Sequence, residues 1–204
     1  MKRTVRQVIV GAALSALTGC GCFEDGFLSP SSSPAFPDPI VNGKFCDGLD
    51  GWQFAQSGGQ NAVGAVVPRQ CAALMTEGDS FRVTLSQTFL LPPGSQMIQF
   101  EVQPADGFDL EGDWMPDAFE AFLLGPASAS VVPTWKSGAT SFFNLQESGV
   151  AHKALGTTFD GHTVRLDVSG LAGDTEVTLS LTLLGADDDS KTAFAVRNVQ
   201  VVGE

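Results

Sequence analysis

Between residues 177 and 184 the chain alternates strictly, Val177, Leu179, Leu181 and Leu183 against Thr178, Ser180, Thr182 and Leu184. A period of two is the pattern of a β-strand with one buried face. After residue 40 no eleven-residue stretch spaces its apolar residues as a helix would. Phe81, Val83 and Leu85 are expected on one strand face, opposite Arg82, Thr84 and Ser86, and Pro92-Pro93-Gly94 turns the chain towards Ile98, Phe100 and Val102. Further apolar runs lie at 118–124, 141–145, 163–168, 177–184 and 192–201, with turn signals at Asp160-Gly161 and Ser169-Gly170. Many short strands without intervening helices predict an all-β domain of two antiparallel sheets packed face to face.

The chain has 204 residues, 43% of them hydrophobic and 17% charged, which suits a globule and neither a disordered chain nor a multi-span membrane protein. Its net charge is −12. Such a surface repels nucleic acid and attracts Ca²⁺, although acidity also serves solubility alone.

Lys2, Arg3 and Arg6 precede an apolar run over 8–17, the pattern of a secretory signal. Ten residues make roughly 15 Å of helix, too short for a permanent span. Leu17-Thr18-Gly19-Cys20 then resembles the lipobox of bacterial lipoproteins. That resemblance implies cleavage before Cys20, a diacylglycerol on its thiol and an acylated new N-terminus. Several acyl chains together anchor a protein stably. Removal of residues 1–19 takes three positive charges away, so −12 becomes −15. Gly21, where inner-membrane retention signals carry Asp, favours the outer membrane. An ordinary secretory peptide with a coincidental cysteine is the alternative.

Residues 20–39 are dominated by Ser, Pro and Gly and read as a tether, leaving 40–204 as the domain. Of four cysteines, Cys46 and Cys71 fall in the domain. In an oxidising compartment they are expected to form a disulfide, with two buried free thiols as the alternative. Cys22 has no evident partner. Zinc spacing is absent.

Val41-Asn42-Gly43-Lys44-Phe45 with Gly51-Trp52, and Phe194-Ala195-Val196-Arg197-Asn198-Val199-Gln200-Val201, resemble the first and last strands of carbohydrate-binding, galactose-binding-like jelly rolls. The runs 118–124 and 141–145 are similar to segments of large bacterial surface proteins of that architecture. The resemblance spans most of 41–201 and implies a jelly roll; such domains include sugar binders, adhesion modules and passive spacers.

Sugar recognition wants flat aromatic faces with amides or carboxylates beside them. Trp52 is expected in the core. Trp114 and Trp135, near Pro116 and Pro133, are candidate ligand platforms, unless they seal the core edge. Asp106, Asp109, Glu111, Asp113, Asp117 and Glu120 crowd one stretch, and Asp187-Asp188-Asp189 forms another. Asp187 and Asp189 are the candidate ligands of a structural calcium that the resemblance allows; a solvated acidic loop is the competing reading. Glu120 sits among Phe119, Ala121, Phe122 and Leu123 and needs a partner, for which Arg82, Arg165 and Arg197 are the candidates. His152 and His162 belong to no catalytic motif, and neither a triad nor a phosphate loop is present.

The chain therefore reads as a non-enzymatic, lipid-anchored protein of the cell envelope whose jelly roll binds glycans or a surface protein, or serves envelope structure. A lipid-anchored glycoside hydrolase using Asp117 and Glu120 is the rival. The two separate on whether those carboxylates open into one groove beside Trp114 or Trp135.

Overall fold

The computed structural model describes residues 36–105, 117–146, 148–185 and 192–204. The lipobox, Cys20, Cys22, Trp114, Asp187 and Asp189 lie outside the described residues. One compact unit runs from Phe36 to Glu204. Its strands are β1 (Gln53–Pro68), β2 (Ala73–Leu91), β3 (Ser95–Pro104), β4 (Ala118–Leu124), β5 (Phe143–Gln146), β6 (Ala151–Lys153), β7 (Thr157–Phe159), β8 (Thr163–Asp167), β9 (Thr175–Leu184) and β10 (Ala193–Gly203).

The pairings are nested. β4 pairs with β5, β3 with β8, and β2 first with β10, at Ala73 to Thr76, and then with β9, from Arg82 to Leu91, all antiparallel. Because β2 changes partner along its length, it belongs to both sheets. One sheet runs β2–β9–β4–β5–β6 and the other β2–β10–β3–β8–β7, while β1 follows β2 along its other edge. A long antiparallel ribbon wrapped over itself in this order is a jelly roll.

The core lies between the sheets. Val177, Leu179, Leu181 and Leu183 are fully buried, as their alternation requires. Phe119 of β4 joins the layers, with ring centroids 6.2 Å from Phe100 of β3, 5.5 Å from Phe194 of β10 and 6.5 Å from Phe143 of β5.

The expected opening strand at 41–45 is a turn-rich loop. Asn42 and Phe45 take left-handed φ values of 50° and 55°, and the Asn42 side chain donates to the carbonyl of Gly48 at 2.9 Å. Gln87 of β2 treats Val41 as a strand neighbour would, accepting its amide at 2.8 Å and donating to its carbonyl at 3.0 Å. Trp52 is a core residue, as expected, with its indole also donating to that carbonyl at 3.0 Å and its ring 5.1 Å from Phe45. Asp38 ties the entering chain to β10 by accepting the Val201 amide at 3.1 Å.

The face assigned to Phe81 is also corrected. Val83 and Leu85 are fully buried, but Phe81 is 73% exposed. Between Ser57↔Arg82 and Gly58↔Ser80 the β1–β2 register skips Phe81, in the stretch where β2 passes from one sheet to the other. The bulge releases Phe81 from the inward alternation, and its ring comes to lie against Gly58.

Cys46 and Cys71 are joined by a disulfide, with Cα atoms 4.1 Å apart. Cys71 occupies the two-residue turn of the β1–β2 hairpin. Arg69 and Ala72 exchange both backbone hydrogen bonds around it, and Gln70 and Cys71 both have positive φ, 52° and 56°. This is the primed turn that matches strand twist, built here without glycine or asparagine.

Candidate functional site

On the outer face of the β2–β9–β4–β5–β6 sheet, the register aligns one transverse row: Thr84, Thr182, Glu120, Asn144 and His152. These positions alternate with the buried apolar residues of their strands, so the core period directs them outward. The Thr84 and Thr182 hydroxyls are 3.2 Å apart.

Glu120 is the centre of this row. Its Oε1 accepts from Ser141 Oγ at 3.1 Å and from Asn144 Nδ2 at 3.0 Å. Ser141 Oγ in turn accepts from the indole Nε1 of Trp135 at 3.0 Å. The expected arginine partner is thus replaced by neutral donors. Arg165 is paired with Asp160 at 2.8 Å and Arg197 with Glu101 at 2.6 Å, both on the other sheet. Half-burial in a polar row lets hydroxyl and amide donors satisfy a carboxylate that full burial would have forced onto a cation. Glu120 Oε2 has no protein donor among the described residues. Asn144 Oδ1 is buried and likewise lacks one.

Trp135 is half-buried beside this row. Its ring stacks on His152 with centroids 4.7 Å apart and planes at 23°, and the Lys136 ammonium lies 4.2 Å from its centroid. The structure therefore brings one expected platform residue, Trp135, to the carboxylate singled out beside it. His152, Asn144, Ser141 and Lys136 were not expected there. Alternation around Phe143 and Leu145 points Asn144 outward, but only strand pairing places His152 beside it.

The catalytic rival requires Asp117 and Glu120 to share a groove. Asp117 is fully buried just before β4, whereas Glu120 sits on the outer face. They do not form a solvent-lined pair across which a glycosidic bond would fit. Among the described residues no group of three or more His, Cys, Asp or Glu side chains converges as a metal site.

No family model matches the chain, and neither does any curated protein. Solved structures of similar shape include the carbohydrate-binding module TmCBM61 in complex with β-1,4-galactotriose, 12% identical, covering 83% of this chain and 100% of that one, with a TM-score of 0.45. A carbohydrate-binding module specific for non-crystalline cellulose is 15% identical over 82% of this chain and 98% of that one, TM-score 0.46. The enzymatically active domain of tailspike protein 4 from bacteriophage CBA120 is 11% identical over 81% of this chain, TM-score 0.47, and this chain spans about a fifth of its length. The jelly-roll order itself rests on this chain's own strand pairing.

Proposed function

We propose that the protein is a lipid-anchored component of the cell envelope whose jelly roll binds a neutral glycan, without catalysis, on the outer face of the β2–β9–β4–β5–β6 sheet. The observation that carries this reading is the hydrogen-bonded chain from Trp135 through Ser141 to Glu120. It holds an indole at fixed orientation beside a carboxylate whose second oxygen is open to a ligand hydroxyl. Sugars are recognised by pairings of a flat ring with fixed acceptors, here on the ring face from which the exposed Lys136 side chain is displaced, His152 backing the other. His152 and Thr182 extend the polar row on either side. The burial of Asp117 favours binding over hydrolysis.

The test is a neutral-glycan array probed with the full-length chain, followed by calorimetry on any hit. Trp135→Ala and Glu120→Gln are each expected to weaken binding at least about tenfold, the loss of one charge-assisted hydrogen bond or stacking contact. An array without hits on folded protein would leave envelope structure as the role. The anchor is tested separately by mass spectrometry. A diacylglycerol on Cys20 supports it, and an unmodified Cys20 thiol in protein that retains Met1 overturns it.

A further inference from the structure

A groove of about 560 Å³ crosses the outer face of the opposite sheet, over β2, β10 and β3. Its floor is low because Ala72, Ala193 and Ala195 present only methyl groups there. Among the described residues, the charged groups that line it are Arg69, Arg197 and Glu101, and His162 also borders it. Among the described residues this is a local excess of positive charge in a chain of net charge −12. Three of the four arginines beyond residue 40 (Arg69, Arg165 and Arg197, with Arg82 the exception) border cavities on this one face.

Glu101 does not cancel the groove's charge so much as orient it. One of its oxygens accepts from Arg197 Nε at 2.6 Å and the other from Asn198 Nδ2 at 2.7 Å, so both are engaged. Bonding through Nε holds the guanidinium plane and leaves the two terminal NH₂ groups of Arg197 without a protein acceptor among the described residues. Those groups are the fork that receives a carboxylate bidentately. The Arg69 guanidinium, on the disulfide-clamped hairpin turn, also has no acceptor among the described residues.

We infer that this groove is a second binding site, specific for a carboxylate-bearing sugar, with Arg197 and Arg69 as the carboxylate receptors and Gln70, Gln103 and Thr76 as hydroxyl partners. Amides and a hydroxyl, which both donate and accept, suit the alternating donors and acceptors of a sugar better than the backbone of an acidic peptide. The inference does not depend on the Trp135 site, which lies on the other sheet.

The experiment titrates a uronate trisaccharide into the purified full-length chain, beside a neutral trisaccharide of the same linkage and oligoglutamate. Uronate is expected to bind, more weakly as salt rises, and the neutral sugar not to bind in this groove. Arg197→Gln and Arg69→Gln should each weaken uronate binding at least about tenfold at an unchanged melting temperature. Trp135→Ala should leave uronate binding intact, which separates this site from the first. The inference is overturned if uronate does not bind the folded chain, if both arginine variants bind it as tightly as the parent, or if oligoglutamate binds equally well, which would make the groove a peptide site.

Discussion

The carbonyl oxygen of Val199 occupies the space that a Cβ on Gly43 would need, and the Val199 amide donates back to the Gly43 carbonyl at 2.9 Å. The opening loop and the last strand meet backbone to backbone at this point. Gly43→Ala must therefore separate them. We expect it to cost about 2–3 kcal/mol in urea denaturation, at the upper end of overpacking effects. Gly170→Ala, where an added methyl meets nothing and φ is not positive, should be close to neutral. Equal effects at the two positions would contradict the contact.

The Cys46–Cys71 bridge and the turn that carries it make separable contributions. Reduction, or Cys46→Ala, removes a constraint across 25 residues, worth about 3–4 kcal/mol in the chain-entropy description. Gln70→Asn keeps the bridge and eases a left-handed residue of the primed turn, and should stabilise by a few tenths to about 1 kcal/mol. Thermal melts of each variant with and without reductant separate the two terms.

Asp160 accepts the Thr163 amide at 2.8 Å, Arg165 Nη1 at 2.8 Å and the His162 amide at 3.1 Å. The Thr163 amide and then the arginine hold its carboxyl well below the ordinary aspartate range. A depressed folded-state value gives stability that is complete above the unfolded value, near about 3.9, and is lost as the pH falls through the folded one. Carboxyl ¹³C NMR should therefore show Asp160 titrating below free aspartate, and Asp160→Asn should flatten the acid limb of the stability curve. A midpoint at or above the free value would contradict this geometry.

Ser141 is the link between ring and carboxylate. Ser141→Ala should cost about 1–2 kcal/mol, because Trp135 Nε1 loses its acceptor and Glu120 one of its two donors. The indole N–H resonance of Trp135 should shift towards that of a solvent-exposed indole. An unmoved resonance would mean that the indole is held by something other than Ser141.

The strands that bury one face could be read from the sequence. Val177 to Leu183 and the inward residues of β3 and β4 follow from alternation alone, whereas in β10 the period breaks at Arg197-Asn198, between Val196 and Val199. Strand β1 could not be found this way, because residues 53–58 are exposed and carry no apolar period. Phe81 was misplaced because alternation cannot reveal a bulge. At the site, Trp135 and Glu120 were conspicuous as an isolated ring and a carboxylate in an apolar run. Asn144, Ser141 and His152 reach them through register across β4, β5 and β6, and register depends on which strands become neighbours.

The nested order of pairing has a kinetic corollary. Glu77 on β2 accepts the amide of Thr192, 115 positions later, and Thr84 meets Thr182 across 98. Loops of that length close slowly, and beyond its local hairpin with β1 the strand β2 has no sheet partner until β9 and β10 have been made. A nascent chain halted before that point exposes half-built layers and lacks a closed interior, so for most of its synthesis the polypeptide remains a threadable strand rather than a finished particle.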